Sequence, residues 1–88
     1  MDDGLVCILV DSTWKTPITE VRLQTSLQQI TPYLKKYGAH WQRSLVSADG
    51  SRTLSTFKAP PVEVVEQAYQ QAEISFLHLY PVDQIIAA

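Results

Sequence analysis

The stretch from Trp41 to Pro60 constrains the fold more than any other part of this sequence. Two runs that can form β-strands lie on either side of Asp49-Gly50, and Ala59-Pro60 ends the second run. Asp-Gly supplies the residues with positive φ that a two-residue type I′ turn requires, whereas proline cannot continue strand pairing. We therefore expect a β-hairpin that leads directly into a helix.

The residues before this hairpin predict a strand and then a helix. Gly4 to Val10 is almost continuously apolar and is closed by Asp11-Ser12, a pattern typical of a strand that is buried on both faces. Thr16-Pro17 is a suitable start for the helix, with threonine as N-cap and proline in the first helical position. The helical stripe that follows consists of Leu23, Leu27, Ile30, Leu34 and Tyr37.

Two residues within this helical region limit its course. Pro32 removes one backbone hydrogen bond and clashes with the carbonyl group of Gln28. We expect either a kinked helix or a second short segment capped by Thr31, with Gly38 as the end of the region.

After the hairpin, the pattern predicts a second helix and a last strand. The helix covers Val62 to Ala72, with Val62, Val65, Tyr69 and Ala72 on its buried face. The strand covers Phe76 to Ile86, and Pro81 restricts that part of it to an edge or a bulge.

The resulting order, β-α-β-β-α-β, is that of an α+β ferredoxin-like domain. We expect residues 1–88 to form a single domain with a four-stranded antiparallel sheet in the order 4-1-3-2 and both helices on one face. In the first and last strands, apolar residues occur at both odd and even positions, so they point to both faces of the sheet. The face without helices therefore also needs to be covered. A homodimer that packs two such faces together is the predicted solution.

Composition excludes several classes of partner. The chain has 88 residues, 45% hydrophobic content and a net charge of −2, without the basic run that nucleic-acid binding requires. Its acidic first residues do not resemble a signal peptide, and no apolar run approaches the ~20 residues that span a bilayer. The single cysteine, Cys7, excludes an internal disulfide framework and suits a reducing compartment. We expect a cytoplasmic protein that binds neither nucleic acid nor membranes.

The second half of the chain resembles a known family. The residues that carry the resemblance are Trp41, Ser44, Val46, Ser47, Asp49-Gly50, Arg52, Phe57, Ala59-Pro60 and Glu63. They are similar to the pattern of a family of small ferredoxin-like domains of unknown function that includes nickel-binding proteins and is close in build to the dimeric α+β barrel group. The first half of the chain matches this family only in the order of its elements.

The resemblance implies nickel or another divalent metal as a cofactor, but the chain departs from the family pattern. Ser55 and Ala68 stand where family members often carry a cysteine and a histidine. The remaining soft or borderline ligands are Cys7, His40 and His78, without metal-ligand spacing. His40 and His78 fall on opposite edges of the predicted sheet, about 14 Å apart for three strand spacings. Cys7 and His78 are therefore the candidate metal ligands.

Four residues are candidates for binding a small ligand. Ser44 and Ser55 oppose each other in the predicted hairpin, and His78 and Tyr80 share one face of the last strand. Trp41 is expected opposite Lys58 as a cation–π pair, and Trp14 is expected to cap the sheet or to cover a pocket mouth.

These candidates leave two functional classes open. The first is a non-enzymatic homodimeric domain that holds a small ligand or a metal near the interface. The second is a cofactor-independent oxygenase or isomerase of the dimeric α+β barrel type. No catalytic motif is present, so no catalytic residue is assigned in the first class, whereas His78 or Tyr80 would be the acid or base in the second. A pocket of a few hundred Å³ with His78 or Tyr80 on its wall would favour catalysis.

Overall fold

The computed structural model of the protein describes residues 5–82. These residues form four strands and two helices in the predicted order: β1 (Val6–Thr13), α1 (Glu20–Lys36), β2 (His40–Val46), β3 (Arg52–Ala59), α2 (Val62–Gln71) and β4 (His78–Val82). The strands form one antiparallel sheet in the order β2-β3-β1-β4, which is the predicted 4-1-3-2 order taken from the other edge. The fold is thus α+β and ferredoxin-like.

Both helices pack on one face of the sheet and enclose the hydrophobic core. The sheet contributes alternate residues of its two central strands, Ile8, Val10, Phe57 and Ala59. The helices contribute the residues that repeat at helical spacing, Leu23, Leu27, Ile30, Leu34, Val64, Val65, Ala68 and Tyr69. This arrangement leaves the opposite sheet face without a helix, as the sequence predicted.

Strand β1 is longer than predicted. It continues through Asp11 and Ser12 to Thr13, although those two polar residues were expected to close it at Val10. Ser12 points to the core face and Asp11 to the other face, and both are buried. The two hydrogen bonds from Arg52 offset the cost of burying the Asp11 carboxylate. Only the predicted first residue, Gly4, lies outside the described residues.

Helix α1 begins later than predicted and is continuous. Its N-cap is Thr19, whose hydroxyl group accepts a hydrogen bond from the Arg22 backbone N–H, so Thr16-Pro17 belongs to the preceding loop. Pro32 lies inside the helix, and Thr31 does not start a second segment. Pro32 and Gln28 are both exposed, so the carbonyl group that loses its partner can bond to water. Within residues 5–82, no helix combines the length and apolarity that crossing a membrane would require.

The end of α1 follows the prediction, with one exception. Gly38 has a φ of 76°, as expected of a glycine just beyond a helix. Tyr37, however, is the C-cap residue and is exposed, so it does not continue the buried stripe.

The hairpin has the predicted register but a different turn. Ser44 pairs with Ser55 and Leu45 with Leu54, as expected. Gly50 has a φ of 75°, but Asp49 is not among the non-glycine residues with positive φ, which rules out a type I′ turn. Instead, the Asp49 carboxylate accepts hydrogen bonds from the Ser47 hydroxyl group and from the backbone and hydroxyl groups of Ser51, and these bonds fix a wider turn.

A bulge near the start of β2 changes one predicted pair. The register shifts between Trp41 and Arg43, which places Trp41 opposite Phe57 rather than opposite Lys58. Trp41 therefore faces the helix side of the sheet, where its indole N–H donates to the Ser44 hydroxyl group at 2.9 Å. The predicted cation–π pair with Lys58 is not formed.

The last two elements are shorter or rotated relative to the prediction. The buried face of α2 is formed by Val64, Val65, Ala68 and Tyr69, because the helix turns Val62 and Ala72 toward its margins.

Strand β4 begins only at His78, and its predicted residues 83–86 lie outside the described residues. Phe76 precedes the strand and packs edge-on against the Tyr69 ring at 5.7 Å, so it does not share a face with His78.

The hairpin turn supports the loop between β1 and α1 through a close backbone contact. The Gly50 carbonyl group accepts a hydrogen bond from Ile18 N–H at 2.8 Å. A Cβ atom at Gly50 would lie 3.0 Å from the Ile18 carbonyl oxygen and from Pro17 Cβ, whereas a Cβ atom at Gly38 would meet no heavy atom within 4 Å.

We therefore expect Gly50→Ala to destabilise the domain more than Gly38→Ala. Both changes place alanine at positive φ, which costs about 1–2 kcal/mol, and the backbone clash at Gly50 should add about 1 kcal/mol or more. Urea unfolding of the two variants and the wild type measures the difference. Equal unfolding free energies for the two variants would contradict the close contact at Gly50.

Candidate functional site

The sheet face that the helices do not cover, here called the open face, carries a mixture of apolar and charged side chains. Directly opposite residues of antiparallel strands lie on the same face, which fixes the arrangement. An apolar patch at its centre consists of Leu9, Leu45, Leu54 and Tyr80, one residue from each strand. Leu45 and Tyr80 are 63% and 47% exposed, and Leu9 and Leu54 are half-buried.

Asp11 lies beside this patch and is the most buried charged group of the open face. Its carboxylate, with only 6% of the side chain exposed, accepts two hydrogen bonds from Arg52, from Nε at 2.9 Å and from Nη2 at 2.6 Å. His78 Nδ1 lies 3.8 Å from the same carboxylate. The hydrogen bonds from Arg52 lower the pKa of Asp11 below its ordinary value against the opposing effect of burial, and the positive charge of Arg52 and the proximity of His78 act in the same direction.

The open face has an excess of positive charge. Arg43 pairs with Thr56 and Lys58 pairs with Cys7, so both cations lie on this face with Arg52. Asp11 is the only carboxylate that the described part of the four strands contains. Because Asp11 is paired with Arg52, no other carboxylate of the described strands compensates the charges of Arg43 and Lys58 on this face.

The four candidate ligand-binding residues do not form one site. His78 and Tyr80 lie on the open face, where they pair with Asp11 and Leu9. Ser44 and Ser55 lie on the helix side, and their hydroxyl oxygens are 2.6 Å apart. The sheet separates the two pairs, so a single small molecule cannot contact all four residues.

Ser55 faces a small cavity that has too little volume for a ligand. The cavity has a volume of about 10 Å³ and lies between the sheet and the helices, where Ser12, Thr53 and the Tyr69 ring also line it. This volume accommodates about one water molecule. Trp14 also lines this cavity and donates its indole N–H to the Thr53 hydroxyl group at 3.0 Å.

Ser44 lines a larger space that opens to solvent. This space, the α1–β2 groove, has a volume of about 370 Å³ and runs between the first half of α1 and the edge strand β2. Its walls are formed by Glu20, Leu23, Gln24, Leu27, Trp41, Ser44 and Val46. Neither His78 nor Tyr80 lines this groove or the small cavity beside Ser55.

Within the described part of one chain, the residues present do not fit a metal site. Cys7 pairs with Val82 and His78 pairs with Asp11, so four residues of β1, about 13 Å, separate the two candidate ligands. No group of three or more His, Cys, Asp or Glu side chains within residues 5–82 is placed to hold a metal ion. Lys58, directly opposite Cys7, would also repel a divalent cation there.

Sequence reasoning missed the Asp11–Arg52 pair and the α1–β2 groove. Asp11 was interpreted as the end of a strand, because Asp is rarely buried and its partner Arg52 is distant in the sequence. The groove depends on the bulge that turns Trp41 toward α1, and no pattern in the sequence indicates that bulge.

The lowered pKa of two aspartates predicts a loss of stability in acid. The pKa of Asp11 is lowered by Arg52, and the hydrogen bonds from Ser51 and Ser47 lower the pKa of Asp49 to about 2. A carboxylate with a lowered folded-state pKa stabilises the fold above its unfolded pKa, and this contribution is lost as the pH falls through the folded value. We expect the unfolding free energy to fall between about pH 4 and pH 2.

The variants Asp11→Asn and Asp49→Asn should each remove part of this pH dependence, as measured by urea unfolding at each pH. Asp11→Asn should also lower stability at neutral pH, because Arg52 loses its charged partner. An Asp11→Asn profile parallel to that of the wild type over this range would contradict the role of the pair.

Comparison with known proteins supports the fold and leaves the family open. No protein-family model matches the sequence, and no curated protein matches it. Among solved structures, the chain is similar to the protein SCO4226 from Streptomyces coelicolor A3(2), with 14% sequence identity and a TM-score of 0.80. The match covers 91% of this chain and 99% of that chain. At this level of identity, the likeness shows a shared ferredoxin-like fold.

Proposed function

We propose that this protein is a homodimeric binding domain, in which two open faces pack together and enclose a small organic anion. The observation that carries the proposal is the combination of an apolar patch with uncompensated cations on the open face. A sheet face that remained in water would be expected to carry polar side chains at these positions.

The size of the open face is sufficient for a weak specific dimer. Four strands of up to eight residues cover roughly 20 Å by 25 Å, so two copies would bury about 1,000 Å² together. This area is close to the lower limit of specific interfaces. We therefore expect a dimer that forms at micromolar concentration.

The charge of the open face favours an anionic ligand over a metal. Packing two open faces brings two copies of Arg43 and of Lys58 into one interface, and their repulsion opposes association. An anion with an apolar body would neutralise these cations while it contacts the apolar patch. The same cations disfavour nickel or another divalent metal beside Cys7 and His78, so metal binding is not part of the proposal.

A binding role is better supported than an oxygenase or isomerase activity. The catalytic alternative requires a pocket with His78 or Tyr80 on its wall, and both described cavities lack these residues. His78 is 64% exposed at its side chain, which suits contact with a partner or a ligand rather than a preformed active site. A cytoplasmic location stays part of the proposal, and the single cysteine is compatible with it because it suits a reducing compartment.

Analytical ultracentrifugation of the untagged chain tests the dimer. We expect a dimer at tens of micromolar, and Leu54→Glu and Tyr80→Glu should each give a monomer because they place a carboxylate in the apolar patch. Val21→Glu is the matched control, since Val21 is 72% exposed on α1 and lies away from the open face. Circular dichroism of each variant verifies that the fold is retained. If Leu54→Glu does not fold, Tyr80→Glu alone tests the apolar patch.

Salt provides a second test of the same interface. Because two sets of cations are brought together, raising the sodium chloride concentration from 20 to 300 mM should strengthen the dimer by screening their repulsion. A monomeric wild type at 100 μM in both salts would overturn the proposal, as would a dimer that both patch variants leave intact.

A further inference from the structure

The α1–β2 groove lies on the helix side of the sheet, so a dimer through the open face would leave it accessible. Its volume of about 370 Å³ is within the range of small-molecule sites, at the lower end. The side chains of the groove itself can recognise a ligand whether or not the proposed dimer forms.

The floor of the groove is apolar. Leu23 and Leu27 project from α1, one turn apart, and Val46 approaches from β2. A ligand that occupies this space must therefore have a hydrocarbon or aromatic body.

The polar groups of the groove mainly accept hydrogen bonds. Glu20 provides a carboxylate, and no ion-pair partner for it is found among the described residues. Gln24, one helical turn later, adds an amide oxygen on the same side of α1. The Ser44 hydroxyl group is already engaged by Trp41 and Ser55, so it offers the ligand little.

Trp41 provides a π surface. Its indole N–H is used in the hydrogen bond to Ser44, so the interaction that remains for a ligand is with the ring. An indole ring attracts a cation within about 6 Å of its centre, and Glu20 attracts the same charge.

We propose that the α1–β2 groove is a binding site for a small organic ammonium ion with an apolar body. The carboxylate of Glu20, the amide oxygen of Gln24 and the ring of Trp41 recognise the charged group. Leu23, Leu27 and Val46 hold the apolar part.

The test uses two probes of nearly equal shape, 3-phenylpropylamine, which is an ammonium ion at pH 7, and the neutral 3-phenyl-1-propanol. Titration of each into the ¹⁵N-labelled full chain is followed by two-dimensional NMR. We expect the amine to shift the backbone signals of Glu20, Gln24 and Ser44 and the indole signal of Trp41, while the indole signal of Trp14 stays in place. The amine should bind at least about fivefold more tightly than the alcohol, from the charge and the cation–π contact.

Glu20→Gln should reduce this preference to less than about twofold, since the variant keeps the shape of the groove and loses its charge. Glu63→Gln is the matched control, because Glu63 is the corresponding first-turn glutamate of α2 and does not line the groove. Equal binding of the two probes to the wild type would overturn the proposal. The proposal would also be overturned if the amine shifted signals outside the groove instead, or if the preference for the amine over the alcohol survived in Glu20→Gln. Absence of amine binding at 10 mM would have the same meaning.

Discussion

A four-stranded sheet has two faces, and the two helices of this chain cover only one of them. This constraint determines most of what the structure can do. The helix side contains the core, and the cavity beside Ser55 has a volume of only about 10 Å³. The two proposals concern the α1–β2 groove at the edge of the core and the open face.

The Asp11–Arg52 pair determines which charges on the open face remain uncompensated. A carboxylate on a central strand would be costly to bury alone, and the two hydrogen bonds from Arg52 offset that cost. The pair joins β1 to the start of β3, directly beside the apolar patch. Since Arg52 compensates Asp11, the remaining cations, Arg43 and Lys58, dominate the charge of the face. The apolar patch thus supports the proposed second copy, and the cations Arg43 and Lys58 support the proposed anion.

The sequence predicted the fold where local and tertiary preferences agree. The apolar run before Asp11, the helical stripe from Leu23 to Leu34 and the strand signals around Asp49-Gly50 were sufficient for the element order, the sheet order and the hairpin register. The predictions failed where side-chain hydrogen bonds override the backbone preference. Asp11 continues β1 because Arg52, distant in sequence, pairs with it, and Asp49 bonds to its neighbouring serines instead of adopting positive φ.

The candidate site was less predictable than the fold. The alternation of side chains along a strand predicted correctly that His78 and Tyr80 share one face. The hairpin register predicted correctly that Ser44 lies beside Ser55. The pair His78 and Tyr80 lies on the opposite side of the sheet from the pair Ser44 and Ser55. This separation depends on the register between strands that are distant in sequence. The groove depends in addition on a one-residue bulge.

The central claim is that two open faces meet, and the most direct measurement is an isotope-filtered NOE experiment on a mixture of ¹³C-methyl-labelled and unlabelled chains. We predict intermolecular signals that involve the methyl groups of Leu9 and Leu54. Intermolecular signals from α1 in place of these, or none at a concentration where the protein is dimeric, would contradict the account.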